Sequence, residues 1–213
     1  MAPALPVTPA YLMTAALLVA PMATVGCHTT GSTTPNTTEQ IRPGIANATA
    51  FQNLPRIRSL EQASGRNSVL VRIVGPGVEP DTGRITSGNG WEYEFAEPSP
   101  GGVRYHMWRV TDTGAITVRL NVMLPRPGPT EIGPFFTIDS DQAVRLAREY
   151  GGQRYLDRYQ GAWLQILSTL VQGIGTWEVG FRGAPASERC EVYFVINART
   201  GGLIPGDTSC LDR

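Results

Sequence analysis

Few residues in this chain of 213 carry the chemistry that catalysis needs. There are two histidines, His28 and His106, and three cysteines, Cys27, Cys190 and Cys210. Neither histidine sits in a Ser-His-Asp or Cys-His grouping. His106 alternates with Tyr105 and Met107, as a side chain on one face of a strand does. No phosphate-binding Walker loop, no His-Glu-x-x-His and no dinucleotide glycine fingerprint occurs. Glu92 and Glu94 share a face, like the paired acids of glycosidases, but they alternate with aromatics and read as a solvated strand face. Asp139 and Asp141 flank a helix start and suit capping and the helix dipole. Asp207 and Asp212, near Cys210, leave only a weak calcium contact open. The sequence therefore predicts no catalytic residue, no cofactor and no metal site.

Cys190 and Cys210 have one structural use. Residues 191–197 read as a strand, Ala198-Arg199-Thr200-Gly201 as a turn and 202–204 as the start of a return strand. Folding that hairpin back brings residue 210 towards residue 190 and predicts a disulfide. Such a loop closure stabilises by about 3 kcal/mol. Two free thiols or a metal site are the alternatives, and two cysteines without a neighbouring histidine make a poor zinc site.

Composition narrows the field further. Hydrophobic residues make up 41% of the chain, enough for a core, and charged residues only 17%. Basic and acidic side chains number 18 each, so the formal net charge is zero, against the basic face that nucleic acid demands. All the basic residues are arginine, scattered along the chain.

Residues 11–25 are apolar or small, and no acidic or basic side chain precedes Glu39. The run is shorter than the ~20 residues of a membrane-spanning helix, and Pro21 interrupts it. It fits the apolar region of a signal peptide over residues 1–26. Small residues ahead of Gly26-Cys27 resemble the lipobox of bacterial lipoproteins, with Thr24 where leucine is usual. That resemblance implies a lipid on Cys27 and an extracytoplasmic, membrane-anchored protein of the cell envelope, with a soluble periplasmic or secreted protein as the alternative. Residues 27–50 are polar and threonine-rich at their start and read as a flexible tether.

Past residue 50 a pattern occurs twice. Trp91, Tyr93 and Phe95 alternate with Glu92 and Glu94; later come Met107 to Val110 and the turn Thr111-Asp112-Thr113-Gly114. Trp177, Val179 and Phe181 alternate in the same way, followed by residues 192–197 and the turn closing at Thr200-Gly201. Both read as strand, loop, strand, Thr-Gly turn and short strand, with glycine supplying the positive φ of the turn. A helix starts at Asp139 with Gln142 in the capping-box position. Ala143, Leu146, Ala147 and Tyr150 share one face, and Gly151-Gly152 is expected to end the helix. Residues 162–171 are ambiguous between strand and helix, with the β-branched and aromatic content favouring strand. The first copy has a weaker helix over 56–64 and a strand over 69–74. Three prolines and a glycine in 124–130 mark a linker. The expected division is a first unit over 51–124, a linker over 125–135 and a second unit over 136–213.

Helix, strands and a hairpin closed by Asn197-Ala198-Arg199-Thr200-Gly201 resemble the PepSY family, most clearly over 138–204 and more faintly over 55–116. The resemblance implies an α+β, cystatin-like fold in which a helix packs on an antiparallel sheet, here as two repeated units. It also implies an extracytoplasmic, non-enzymatic module that regulates an envelope peptidase or binds another envelope protein. A structural or assembly role in the envelope is the alternative. Of the four tryptophans, Trp91 and Trp177 are expected in the core. Trp108, with His106, is expected on a binding surface.

Overall fold

The computed structural model describes residues 43–124, 131–185, 188 and 190–204. Eight strands form one antiparallel sheet: β1 (Val69–Val78), β2 (Gly90–Ser99), β3 (Gly102–Thr111), β4 (Ile116–Leu124), β5 (Trp163–Val171), β6 (Ile174–Arg182), β7 (Val192–Asn197) and β8 (Leu203–Ile204). Their spatial order is β4-β3-β2-β1-β5-β6-β7-β8. Helix α1 (Leu54–Ala63) precedes β1, and helices α2 (Ser140–Ala147) and α3 (Gln153–Arg158) precede β5. The chain is thus α+β, as expected. Among the described residues no helix is long and apolar enough to cross a membrane.

Period-two alternation decides which side of the sheet is covered. Trp91, Tyr93 and Phe95 on β2 and Trp177, Val179 and Phe181 on β6 are buried, while Glu92, Glu94 and Glu178 are half-exposed on the opposite face. Burying each large apolar side chain contributes roughly 1.5–3 kcal/mol, which fixes the register of these strands. The ambiguous stretch over 162–171 is strand β5, whose Leu164 and Ile166 face the same core. β5 pairs with β1 through Val74–Leu167 and Gly75–Ile166, so one continuous sheet and one core run through the described residues.

Asp139 caps α2: its side chain accepts the backbone N–H of Ser140. Gln142 does not close a capping box with it; its N–H donates to Asp141 Oδ1. The helical path breaks at Gly151, at φ 128°, where the sequence places the helix end; the short second helix α3, which starts directly after Gly152, was not expected. Gly152 lets the Phe181 ring approach the helix: a Cβ there would lie 2.3 Å from Phe181 Cζ. Helix α1 begins at Leu54, with Pro55 in its first turn, two residues ahead of the expected start.

Two expected connections are more ordered than their composition suggests. Residues 43–50 of the expected tether are packed: Gly44 N–H donates to Gly114 O and Asn47 N–H to Asp112 O, and Ala48 and Ala50 are buried. Gly114, at φ 84°, makes this possible, since a Cβ would sit 2.4 Å from Gly44 O. Residues 131–135 of the expected linker also join the fold, with Ile132 buried and its N–H donating to Leu70 O. Residues 1–42 and 125–130 lie outside the described residues.

Candidate functional site

The most polar cluster in the interior centres on Glu61. It follows Ile57 by four residues, so both fall on the buried stripe of α1. Its carboxylate is enclosed by donors. Ser68 Oγ and His106 Nε2 each lie 2.6 Å from Oε1, and Trp108 Nε1 lies 2.6 Å from Oε2. Burial alone would raise the Glu61 pKa. The hydrogen bonds from Ser68 and Trp108, with the charge interaction and hydrogen bond of His106, outweigh it and hold the carboxyl below its ordinary value. His106 stacks on Phe95, with ring centroids 5.8 Å apart and planes at 12°.

This arrangement corrects the expectation of a binding surface at Trp108 and His106. Trp108 is 5% exposed and His106 is sealed at 0%. The residues on the uncovered face of β3 are instead Tyr105, Met107 and Arg109, which are half-buried. The physical reason is the Glu61 carboxylate. Projected inwards from α1, it needs donors in the interior, and Trp108 and His106 supply them. Glu61 carried no distinguishing sequence signal beyond being an acid on an otherwise apolar helix stripe.

A half-buried carboxylate, Asp139, ties the two helical regions together. Asp139 Oδ1 accepts from Phe51 N–H at 2.9 Å and Ser140 N–H at 2.6 Å, and Oδ2 from Thr49 Oγ1 at 2.5 Å. Burial raises the Asp139 pKa, and these hydrogen bonds only partly offset it. Ser140 Oγ donates to Gly83 O and accepts from Ala50 N–H.

The face of the sheet away from the helices is partly exposed among the described residues. Trp163 on β5 and Tyr193 on β7 are exposed on it and flank β6. Between them Gln165, Gly180 and Tyr193 form a cross-strand row, and the Arg182 guanidinium lies over Gly180, where a Cβ would stand 3.8 Å from Arg182 Nε. Trp163 pairs in register with Arg182, which is ion-paired with Glu191. The sequence did not single out Trp163 as a surface residue, although its place first in a strand whose next residue is a core leucine was the available signal.

Cys190 is buried and disulfide-bonded. The expected partner Cys210, the lipidation candidate Cys27, His28, Asp207 and Asp212 lie outside the described residues. Among the described residues no group of three His, Cys, Asp or Glu is placed to hold a metal ion. No family model, no curated protein and no solved structure matches the chain.

Proposed function

We propose that this chain is a non-enzymatic binding module of the bacterial envelope, made of two PepSY-like units side by side in one sheet and tethered to a membrane through lipid on Cys27. What supports the repeat is the order of the elements. Each half runs helix and then four antiparallel strands, and the strand order reads outwards from the β1–β5 seam in the same sequence on both sides. The second strand of each half carries an inward tryptophan, and each indole N–H binds the backbone leading into that half's helix. Trp91 donates to Ala48 O at 2.8 Å, and Trp177 donates to Ile138 O at 2.7 Å.

The observation that carries the binding role is the Trp163–Gly180–Tyr193 patch on the uncovered sheet face. Two exposed aromatics on either side of β6, with the Arg182 guanidinium between them, supply rigid contact area for a partner chain at small entropic loss. The partner is an envelope protein, a peptidase first among them. The test immobilises the purified chain and captures proteins from solubilised envelope, in parallel with a Trp163→Ser/Tyr193→Ser double variant. The expected result is a reproducible partner lost on the double variant, whose proteolytic activity the wild-type chain then alters. Equal capture by both forms defeats this reading. Enrichment of a membrane assembly with no effect on peptidase activity favours the structural role.

A further inference from the structure

Between α1 and the Ile132–Phe136 segment lies a crevice of about 340 Å³, within the size range of small-molecule sites. Phe51, Leu54, Leu70, Ile73, Ile132 and Phe136 make its walls apolar, and Arg58 stands at its rim. Arg58 and Leu70 also line an adjoining polar cleft of about 170 Å³ that holds Arg66 and Glu61. The apolar and the polar space thus adjoin at Arg58 and Leu70.

The charges in the polar end are incompletely answered. Arg58 Nη2 is 4.0 Å from Glu131 Oε1, and Arg66 Nη1 is 3.8 Å from Glu61 Oε2. Both distances exceed the roughly 2.7–3.2 Å of an N–H···O hydrogen bond. Arg66 Nη1 is buried without a hydrogen-bond partner. Glu61 Oε2, which accepts from Trp108, lies beyond hydrogen-bond reach of it, and Oε1 is taken by Ser68 and His106. Glu131 sits at the mouth with 45% of its side chain exposed. A buried guanidinium nitrogen of Arg66 without an acceptor and the half-exposed guanidinium of Arg58, at the end of an apolar crevice, match a planar anion on an apolar chain.

We infer that this crevice binds a single-chain carboxylic acid, its chain between Leu54 and Phe136 and its carboxylate against Arg58 and Arg66. This goes beyond the partner-binding role and does not depend on it. Sodium decanoate, kept below its micelle concentration, is titrated into the purified full chain and followed by amide chemical shifts. Saturable shifts are expected at Arg58, Arg66, Leu70 and Phe136. Arg58→Ala weakens binding about tenfold, the loss of a charge-assisted hydrogen bond. Leu54→Trp fills the crevice and abolishes binding; thermal unfolding checks that each variant is folded, and Arg58→Ala alone decides if Leu54→Trp is not. Any of four results overturns the inference: no saturable shift, equal affinity for decyltrimethylammonium, unchanged affinity in Arg58→Ala, or response to phosphatidylglycerol vesicles with none to decanoate.

Discussion

Glu61 on α1 and His106 on β3 meet 2.6 Å apart in the interior, 45 residues apart in sequence. With Trp108 and Ser68 they pin the first helix to the sheet. A carboxylate in this position is held by what surrounds it. Glu61→Ala leaves the Trp108, His106 and Ser68 donors without their acceptor and is expected to cost about 3–5 kcal/mol, the range for breaking a buried charged pair. Urea unfolding at pH 7 measures it. A loss under 1 kcal/mol, within the range of an exposed pair, refutes the pinning role.

The carboxylates of Glu61 and Asp139 predict opposite acid responses. Glu61 titrates below its ordinary value in the fold. Its contribution is present above the unfolded pKa, about 4.3, and is lost as pH falls through the lower folded value. Asp139 titrates above its ordinary value. Its ionisation therefore opposes folding, an effect absent below the unfolded pKa of about 3.9 and fully present above the raised folded value. Stability of the wild type relative to Glu61→Gln falls as pH drops below about 4.3. Relative to Asp139→Asn it rises as pH drops from neutrality towards about 4. Denaturant midpoints across pH 3 to 7 give both slopes, and slopes of the same sign would contradict the assignment.

Trp91 and Trp177 are expected to behave alike. Replacing either with phenylalanine keeps most of the apolar volume but removes the N–H that satisfies Ala48 O or Ile138 O. Trp177→Phe leaves the Ile138 carbonyl unpaired at about 1–3 kcal/mol, and Trp91→Phe leaves Ala48 O only the long 3.4 Å bond from the Ile85 N–H, which places its loss at the lower end of that range. Losses of similar size in chemical denaturation agree with matching roles in the two halves. A neutral change at one position and a large one at the other would break the equivalence.

Much of this fold is written in residue alternation, and the reason it is legible is geometric. Trp91-Glu-Tyr-Glu-Phe95 has one apolar and one charged face, so only one orientation of β2 is compatible with a core. Asp139 before an apolar helical stripe likewise announces α2. β3 is different: Tyr105, Met107 and Arg109 on one side and His106, Trp108 and Val110 on the other are both mixed. Alternation pairs His106 with Trp108 correctly but cannot say which side faces in. The deciding partner is Glu61, distant in sequence on α1. The second helix directly after Gly151-Gly152 was hidden for a related reason. Gly152 admits Phe181 of β6, and a contact between remote elements leaves no local mark.

Gly152 tests that contact. A methyl group there would stand 2.3 Å from Phe181 Cζ and 2.9 Å from Ala147 O. Gly152→Ala is expected to destabilise by about 1–3 kcal/mol through overpacking, despite alanine's better helix propensity. Phe181→Leu shortens the opposing side chain and should recover part of the loss, giving a favourable coupling in a double-mutant cycle. Strict additivity would mean that the ring does not press on the helix.

The disulfide at Cys190 is the last constraint with a measurable size. Cys190 is buried just before β7, and the Tyr155 hydroxyl donates to its carbonyl at 3.2 Å. If Cys210 is its partner, the bridge fastens the end of the chain beside β7, the strand that carries Tyr193. Cys190→Ser and Cys210→Ser should then lower stability equally, by about 3 kcal/mol, and the double variant by no more than either single one, because one bond is lost in all three. Dithiothreitol should shift the wild type by a similar amount and leave the variants unmoved. A full-sized loss in Cys190→Ser with Cys210→Ser silent would assign the partner to Cys27 instead. That bridge is incompatible with a lipid on Cys27, so this measurement also bears on how the chain is held at the membrane.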